Sequence, residues 1–242
     1  MNAAPATLRA GLLLLGLAPA TEAAPQVPFH AHYVLGAAGF NVGTAEVHGR
    51  LDAQGRLLVT ARADGTGLVG LLLGKLGDAR FLVEHDAAGD RPLDFAIRVD
   101  SPFDARVVVH YDWTQRQLDV DYNGSERHDA LDAGTGDPFA LMLAIGDARR
   151  AGREPPNFWQ TPDHEGLRRY SIVRQGVERI DTGRGPLLTE RYDCVRELRE
   201  GEDTLRIVIW LAPELDWLPA SGSRLRAGRE KARFTLSDWA RE

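Results

Sequence analysis

The stretch Thr204-Leu205-Arg206-Ile207-Val208-Ile209-Trp210-Leu211-Ala212-Pro213 limits the fold more than any other part of this chain. Leu205, Ile207, Ile209 and Leu211 alternate with Arg206, Val208 and Trp210, which is the two-residue period of a β-strand rich in branched side chains. Trp210 shares a face with Val208, so the second face is only partly polar. A strand with two apolar faces needs cover on both, as in a curved sheet wrapped around a plug.

Similar runs recur along the chain. Residues 29–35, 39–47, 56–63, 81–85, 92–99, 104–113 and 117–122 read as strands, as do 167–175, 177–182, 187–198 and 229–236. Asp52-Ala53-Gln54-Gly55 is a hairpin turn, Gly39 and Gly43 suggest a bulge or tight bend, and Gly176 marks a turn. Residues 152–163 hold three prolines and read as a loop, with Phe158 and Trp159 tucked against the body.

One helix stands out. Asp137 caps it, Pro138 takes the first position, and Arg149 and Arg150 close it where the helix dipole favours cations. Phe139, Leu141, Met142, Leu143 and Ile145 leave almost no polar face before Asp147, so the helix is predicted to plug the interior of the sheet. Residues 67–77 are apolar, lack strand alternation and contain four glycines. They read as a short second helix or apolar lid, either a packed connection closing one end of the barrel or a flap over a ligand. The predicted fold is mainly β: a strongly curved antiparallel sheet or partly open barrel with one central helix and a short second helix.

The N-terminus has the form of a secretory signal. Arg9 is the only charge before the apolar run 11–18, and cleavage fits after Ala20 or Ala23. The run is shorter than the roughly 20 residues that span a bilayer. Residues 1–23 are therefore expected to be removed, leaving a single β-barrel-like domain over 24–242 with no transmembrane segment.

Composition narrows the chemistry. A formal charge of −6 argues against nucleic acid, which is bound through clustered cations. Cys194 is the one cysteine, so intrachain disulfides and metal sites built on several thiolates are excluded. Its place in an alternating run suggests a small buried apolar residue. His30 and His32 share a strand face and could grip a metal, but a third ligand, His48 or Glu46, would have to come from afar. The simpler expectation is a solvated face with no metal. Asp119 and Asp121, near Asp100 and Asp112, read as an exposed strand face. No glycine-rich phosphate cradle or Gly-x-Ser-x-Gly elbow occurs, and Ser101, Ser125, Ser171, Ser221, Ser223 and Ser237 are placed in turns or strand edges. No cofactor is predicted and no catalytic residue is assigned.

The order of features resembles a Gram-negative periplasmic family catalogued as domain of unknown function three thousand one hundred and eight. The resemblance is carried by Phe29-x-Ala31-x-Tyr33, Gly39-x-x-x-Gly43-x-Ala45 and Asp137-Pro138. It continues through Tyr170, Gly176-Val177-Glu178, Thr182-x-x-Gly185, Ile209-Trp210-Leu211-Ala212 and Pro219. Pro213-Glu214 departs from it, where an aspartate would be expected after the tryptophan. The resemblance implies export to the periplasm and an antiparallel β fold, and brings no activity, ligand or catalytic residue. The reading that follows is a monomeric, non-enzymatic periplasmic protein binding an apolar or lipid-like ligand or an envelope protein. Leu72, Leu76, Met142, Ile209 and Trp210 would line the ligand site, with 67–77 as its gate. The alternatives are an envelope-associated hydrolase and a structural or assembly protein with no small ligand.

Overall fold

The computed structural model describes residues 28–65, 75–86, 89–100, 104–163 and 165–241. The first half holds strands β1 (Phe29–Ala37), β2 (Phe40–Leu51), β3 (Leu57–Gly65), β4 (Lys75–Asp86), β5 (Gly89–Val99), β6 (Ala105–Asp112), β7 (Gln117–Tyr122) and β8 (Ser125–Ala130). Helix α1 (Pro138–Arg150) follows. The second half holds β9 (Phe158–Asp163), β10 (Gly166–Thr182), β11 (Gly185–Arg196), β12 (Leu205–Ala212), a 3-10 turn (Pro213–Leu215), β13 (Leu218–Arg226) and β14 (Arg229–Arg241).

All fourteen strands form one sheet, in the order β8-β7-β6-β5-β4-β3-β2-β1-β14-β13-β12-β11-β10-β9. Each half is a meander, and β1 pairs with β14 to join the halves at the centre. The edges are β8 and β9, the two strands that flank α1 in sequence. Among the described residues no strand ladder joins them, but the segment after β8 stitches the gap. Gln160 N donates to Gly134 O at 2.7 Å, Gly136 N donates to Gln160 O at 2.8 Å, and Arg127 Nη1 donates to Asp163 O at 2.7 Å. The result is an open barrel whose seam lies beside the start of α1.

The inner face holds three buried clusters. Phe29, Ala31, Tyr33, Val59, Val83 and Leu236 centre the first. Trp159, Ile172, Tyr192, Cys194, Ile209 and Leu211 centre the second. Phe95, Val109, Tyr111, Leu118, Val120 and Leu131 form the third. Helix α1 joins them: Phe139 and Leu143 pack on the first, and Ala140, Leu141 and Ile145 belong to the second. Phe139 also sits 4.3 Å, ring centre to ring centre, from Phe81, which stacks on Phe95 at 5.0 Å.

The hairpin of β10 and β11 overhangs the sheet. Its tip reaches β14, where Gly183 N donates to Leu236 O at 3.1 Å and Arg184 pairs with Asp238. Glu178 and Arg191 of this hairpin lie against Trp210, on the face of β12 opposite Ile209.

Several expectations are corrected. Residues 158–163 form an edge strand, not a loop; Pro162 is tolerated because an edge needs fewer ladder bonds. The runs on either side of Gly176 are one strand of 17 residues with a bulge at that glycine. The bend expected around Gly39 and Gly43 is present: Ala38 and Gly39, both at positive φ, make a two-residue hairpin turn, and the register of β1 with β2 shifts at Val42. Ser221 and Ser223 are buried in β13, their hydroxyls donating to Phe234 O and Glu230 Oε2 at 2.7 and 2.8 Å. Of the predicted second helix, 67–74 lie outside the described residues, and Lys75 to Gly77 open β4. The short second helical element among the described residues is the 3-10 turn after β12.

Candidate functional site

Of the five residues expected to line a ligand site, Met142 packs against the cluster that holds Ile209, while Trp210 lies on the opposite strand face. Leu72 lies outside the described residues, and Leu76 is described only as backbone in β4. Met142 is half-buried on α1 and, with Leu143, Leu215 and Trp217, edges a crevice of about 60 Å³. Ile209 is buried against Tyr192 and Cys194. Trp210 faces the other way, donating from Nε1 to Glu178 Oε2 at 2.9 Å beneath the guanidinium of Arg191. Neighbouring residues of a strand point to opposite faces, so Ile209 and Trp210 cannot line one cavity. The crevice has room for about two waters, far below the roughly 300–1,000 Å³ of small-molecule sites. Helix α1 fills the interior.

Polar side chains fix both ends of that helix. At its start, Asp137 is 2 % exposed; its Oδ1 accepts from Phe139 N at 2.7 Å and Ala140 N at 3.1 Å. Tyr111 Oη donates to Asp137 Oδ2 at 2.6 Å and accepts from Asp137 N at 2.7 Å. Burial raises the Asp137 carboxyl against the pull of these bonds. At the other end, Arg149 donates to Glu190 Oε1 at 2.9 Å, and Arg174 grips both oxygens of Glu190 at 2.8 and 2.9 Å. Tyr192 Oη adds a bond to Glu190 Oε2 at 2.6 Å. Burial alone would raise Glu190; Arg174, Tyr192 and Arg149 outweigh it and bring it to about 2. Asp147 accepts from Asp90 N at 2.6 Å and from Arg150 Nη1 at 2.6 Å. Asp90 lies 2.8 Å from His85 Nδ1 and is raised, first by burial and then by the Asp147 charge. These groups anchor α1, and none of them lines the larger concavity described below. Cys194 is buried and its thiol pushed up to about 12, chiefly by burial, which leaves it unreactive.

The larger concavity lies on the opposite face of the sheet, a groove of about 470 Å³ across β2 to β6. Two cross-strand rows build it. Glu46, Arg62, Asp78, Arg98 and Arg106 stand directly opposite one another in turn. The next row runs His48, Thr60, Arg80, Ala96 and Val108. The first row is charged; the second gives a floor that ends in small apolar side chains. Arg62 pairs with Asp64 at 3.1 Å, Arg98 with Asp100 at 3.1 Å and Arg106 with Asp121 at 2.8 Å. Arg80 has no ion pair among the described residues. Single-sequence reading finds each arginine but not the register that aligns them.

Beside the groove, His30 stands opposite His48 and His32 opposite Glu46. Glu46 Oε1 lies 3.0 Å from His30 Nε2 and 3.2 Å from His48 Nε2. The rings of His30 and His48 stack at 4.2 Å, and His32 meets His30 edge-on at 4.2 Å. The hydrogen bond with His30 is the main cause of a lowered Glu46 carboxyl. The third ligand that the sequence left distant is thus supplied by pairing of β1 with β2. Asp119 does stand with its neighbours on an outer strand face, where His128 Nδ1 lies 2.7 Å from it.

Fold and site define a class: an open antiparallel β-barrel-like protein, filled by one helix and grooved on its outside. No protein-family model matches the chain, and no curated protein matches it. Among solved structures it is similar to a β-barrel-like protein of domain of unknown function DUF1849 from Brucella abortus, with a TM-score of 0.58 at 14% identity, over 89% of this chain and 98% of that one. That likeness shows a shared fold. A Bacteroides fragilis protein with a YmcC-like fold gives a TM-score of 0.42 at 10% identity, over 89% of this chain and 96% of that one. The Pseudomonas aeruginosa MucA/MucB complex gives 0.38 at 13% identity, over 91% of this chain and 53% of that one. No helix among the described residues is long and apolar enough to cross a membrane.

Proposed function

We propose that this chain is a non-enzymatic periplasmic binding protein, exported by residues 1–23 and belonging to the family of unknown function that its motifs resemble. Its working surface is the outer groove, and its ligand is a lipid-like molecule with an anionic head. One observation carries this reading: the groove of about 470 Å³ joins Arg80, an arginine without an ion pair among the described residues, to an apolar floor at Ala96 and Val108. Its volume falls in the range of small-molecule sites, whereas the interior crevice does not. The guanidinium would meet the head group, and the floor would take the start of the chain.

The test uses the mature protein and lysophosphatidylglycerol as probe, with native mass spectrometry and fluorescence titration. Saturable one-to-one binding is expected, with a loss of about 10-fold or more in Arg80→Glu and in Ala96→Trp, which reverse the charge and block the floor. No saturable binding, or equal binding by wild type and both variants, would favour a structural or assembly role instead.

A further inference from the structure

We infer that His30, Glu46 and His48 form a binding site for a divalent late transition ion of the zinc or copper type. The three groups offer two imidazole nitrogens and one carboxylate oxygen, all within 4.8 Å of one another. Two of the separations, 3.0 and 3.2 Å, run from Glu46 Oε1 to the Nε2 atoms of His30 and His48. A tetrahedral ion sits about 2.0–2.2 Å from nitrogen and oxygen ligands, which sets its ligands roughly 3.3 Å apart. The side chains therefore need only small rotations to close on an ion. Imidazole suits zinc and copper, and a single carboxylate is too few oxygen ligands for calcium or magnesium.

The site is held by strong scaffolding. Strands β1 and β2 are central in the sheet, β1 paired on its other side by β14 and β2 by β3. The pairing of His30 with His48 fixes one side of the block, and that of His32 with Glu46 fixes the other. His32 lies next to His30 and stands ready as a further nitrogen ligand. Arg62 stands directly across from Glu46, and its guanidinium is turned to Asp64 at 3.1 Å. Asp238, across from His32 on β14, adds negative charge on the same side, shared with Arg184. Without metal, the carboxylate bridges the two imidazoles; with metal, the ion replaces those hydrogen bonds. This inference stands on His30, Glu46 and His48 alone and does not depend on what fills the neighbouring groove.

The experiment is calorimetry with Zn²⁺ and Cu²⁺ on untagged mature protein, with Mg²⁺ as the comparison ion. One-to-one binding of Zn²⁺ or Cu²⁺ and none of Mg²⁺ is expected. His30→Ala, His48→Ala and Glu46→Gln should each weaken it by about 10- to 100-fold or more. His110→Ala and His128→Ala, at exposed histidines each paired with an aspartate outside the cluster, should leave it unchanged. Glu46 and His48 are exposed and His30 is half-buried, and an unchanged far-ultraviolet circular dichroism spectrum checks that each variant is folded. Histidine ring NMR gives a second readout: Nε2 of His30 and His48 should shift on adding Zn²⁺. The inference is overturned by absence of saturable binding, or by binding that survives the His30→Ala, His48→Ala double variant unchanged.

Discussion

Tyr111 and Asp137 are joined by two reciprocal hydrogen bonds, the tyrosine hydroxyl giving its proton to the carboxylate at 2.6 Å and taking the aspartate's amide proton at 2.7 Å. This single contact ties β6, near one edge of the sheet, to the first turn of the helix that fills it. Tyr111 is raised well above its ordinary value, by burial first and by Asp137 next, so its hydroxyl stays protonated and available to donate. Tyr111→Phe removes both bonds and leaves a buried carboxylate oxygen and amide unpaired. The expected cost is about 2–3 kcal/mol in urea unfolding. Asp137→Ala removes the helix cap as well and should cost roughly 1 kcal/mol more. Equal stability of Tyr111→Phe and wild type would show the contact to be dispensable.

Ile145 is the fully buried member of the helix, at 0 % exposure, whereas Leu143 is half-buried at the crevice. An unpaired charge at the first position has no route to water. Ile145→Asp should abolish folding, and Ile145→Ala should cost about 2–5 kcal/mol. Leu143→Asp should be milder than Ile145→Asp. Circular dichroism melts of the three variants check the order; an Ile145→Asp protein melting near wild type would place the helix outside the core.

The hairpin tip makes a separate prediction. A Cβ on Gly183 would collide with the backbone carbonyl oxygen of Ser237, the bulged residue of β14. Gly183→Ala should lift the tip from the sheet at a cost of about 1–3 kcal/mol. Hydrogen exchange would report it: the amide of residue 183 should lose protection while the β1–β2 amides keep theirs.

What the sequence revealed follows from which signals are local. Alternation found β1, β7, β11 and β12, and a cap, a proline and an apolar run found α1 to within its first turn. Each of those signals lies within a few residues. Strand β13 escaped because Pro219, Gly222 and its buried serines hide the alternation, and β9 because Pro162 reads as a loop. The sites were less legible still. His30 and His32 could be seen to share a face, but their meeting with Glu46 and His48 depends on the register of a hairpin. The two rows of the outer groove depend on four such registers at once. A one-residue slip in any of them would send half of each row to the other face.

Asp90 carries a cost that an amide would remove. Its side chain is fully buried, Oδ2 has no hydrogen-bond partner among the described residues and lies 3.8 Å from Arg150 Nη2, and the Asp147 charge lies beside it. The folded-state pKa is raised above the ordinary 3.8, so the native protein holds this proton more tightly than the unfolded chain. Stability from that source is present at low pH and falls as pH rises above 3.8 through the raised value. Asp90→Asn is neutral at every pH and can donate to Asp147. It should be the more stable protein at pH 7 by about 1–2 kcal/mol and lose that advantage near pH 3. Chemical denaturation at both pH values tests this, and a variant less stable than wild type at pH 7 would show the charge to be needed.

Glu190 has the opposite sign. Its carboxyl is 6 % exposed, clamped by Arg149 and Arg174, and lowered from 4.5 to about 2. A depressed pKa means that the clamp's contribution is complete above 4.5 and is lost as pH falls toward about 2. Arg174 is partly open to solvent, which trims the expected size to roughly 2–3 kcal/mol. Glu190→Gln should lose about that amount at pH 7, because both guanidiniums keep their charge without a counter-ion. Between pH 4.5 and 2 the wild type should approach the variant, since acid removes the same charge that the substitution removed. Unfolding free energies measured across that window decide the matter: two parallel curves would mean that the hydrogen bonds, and not the charge, hold the end of α1 to β11.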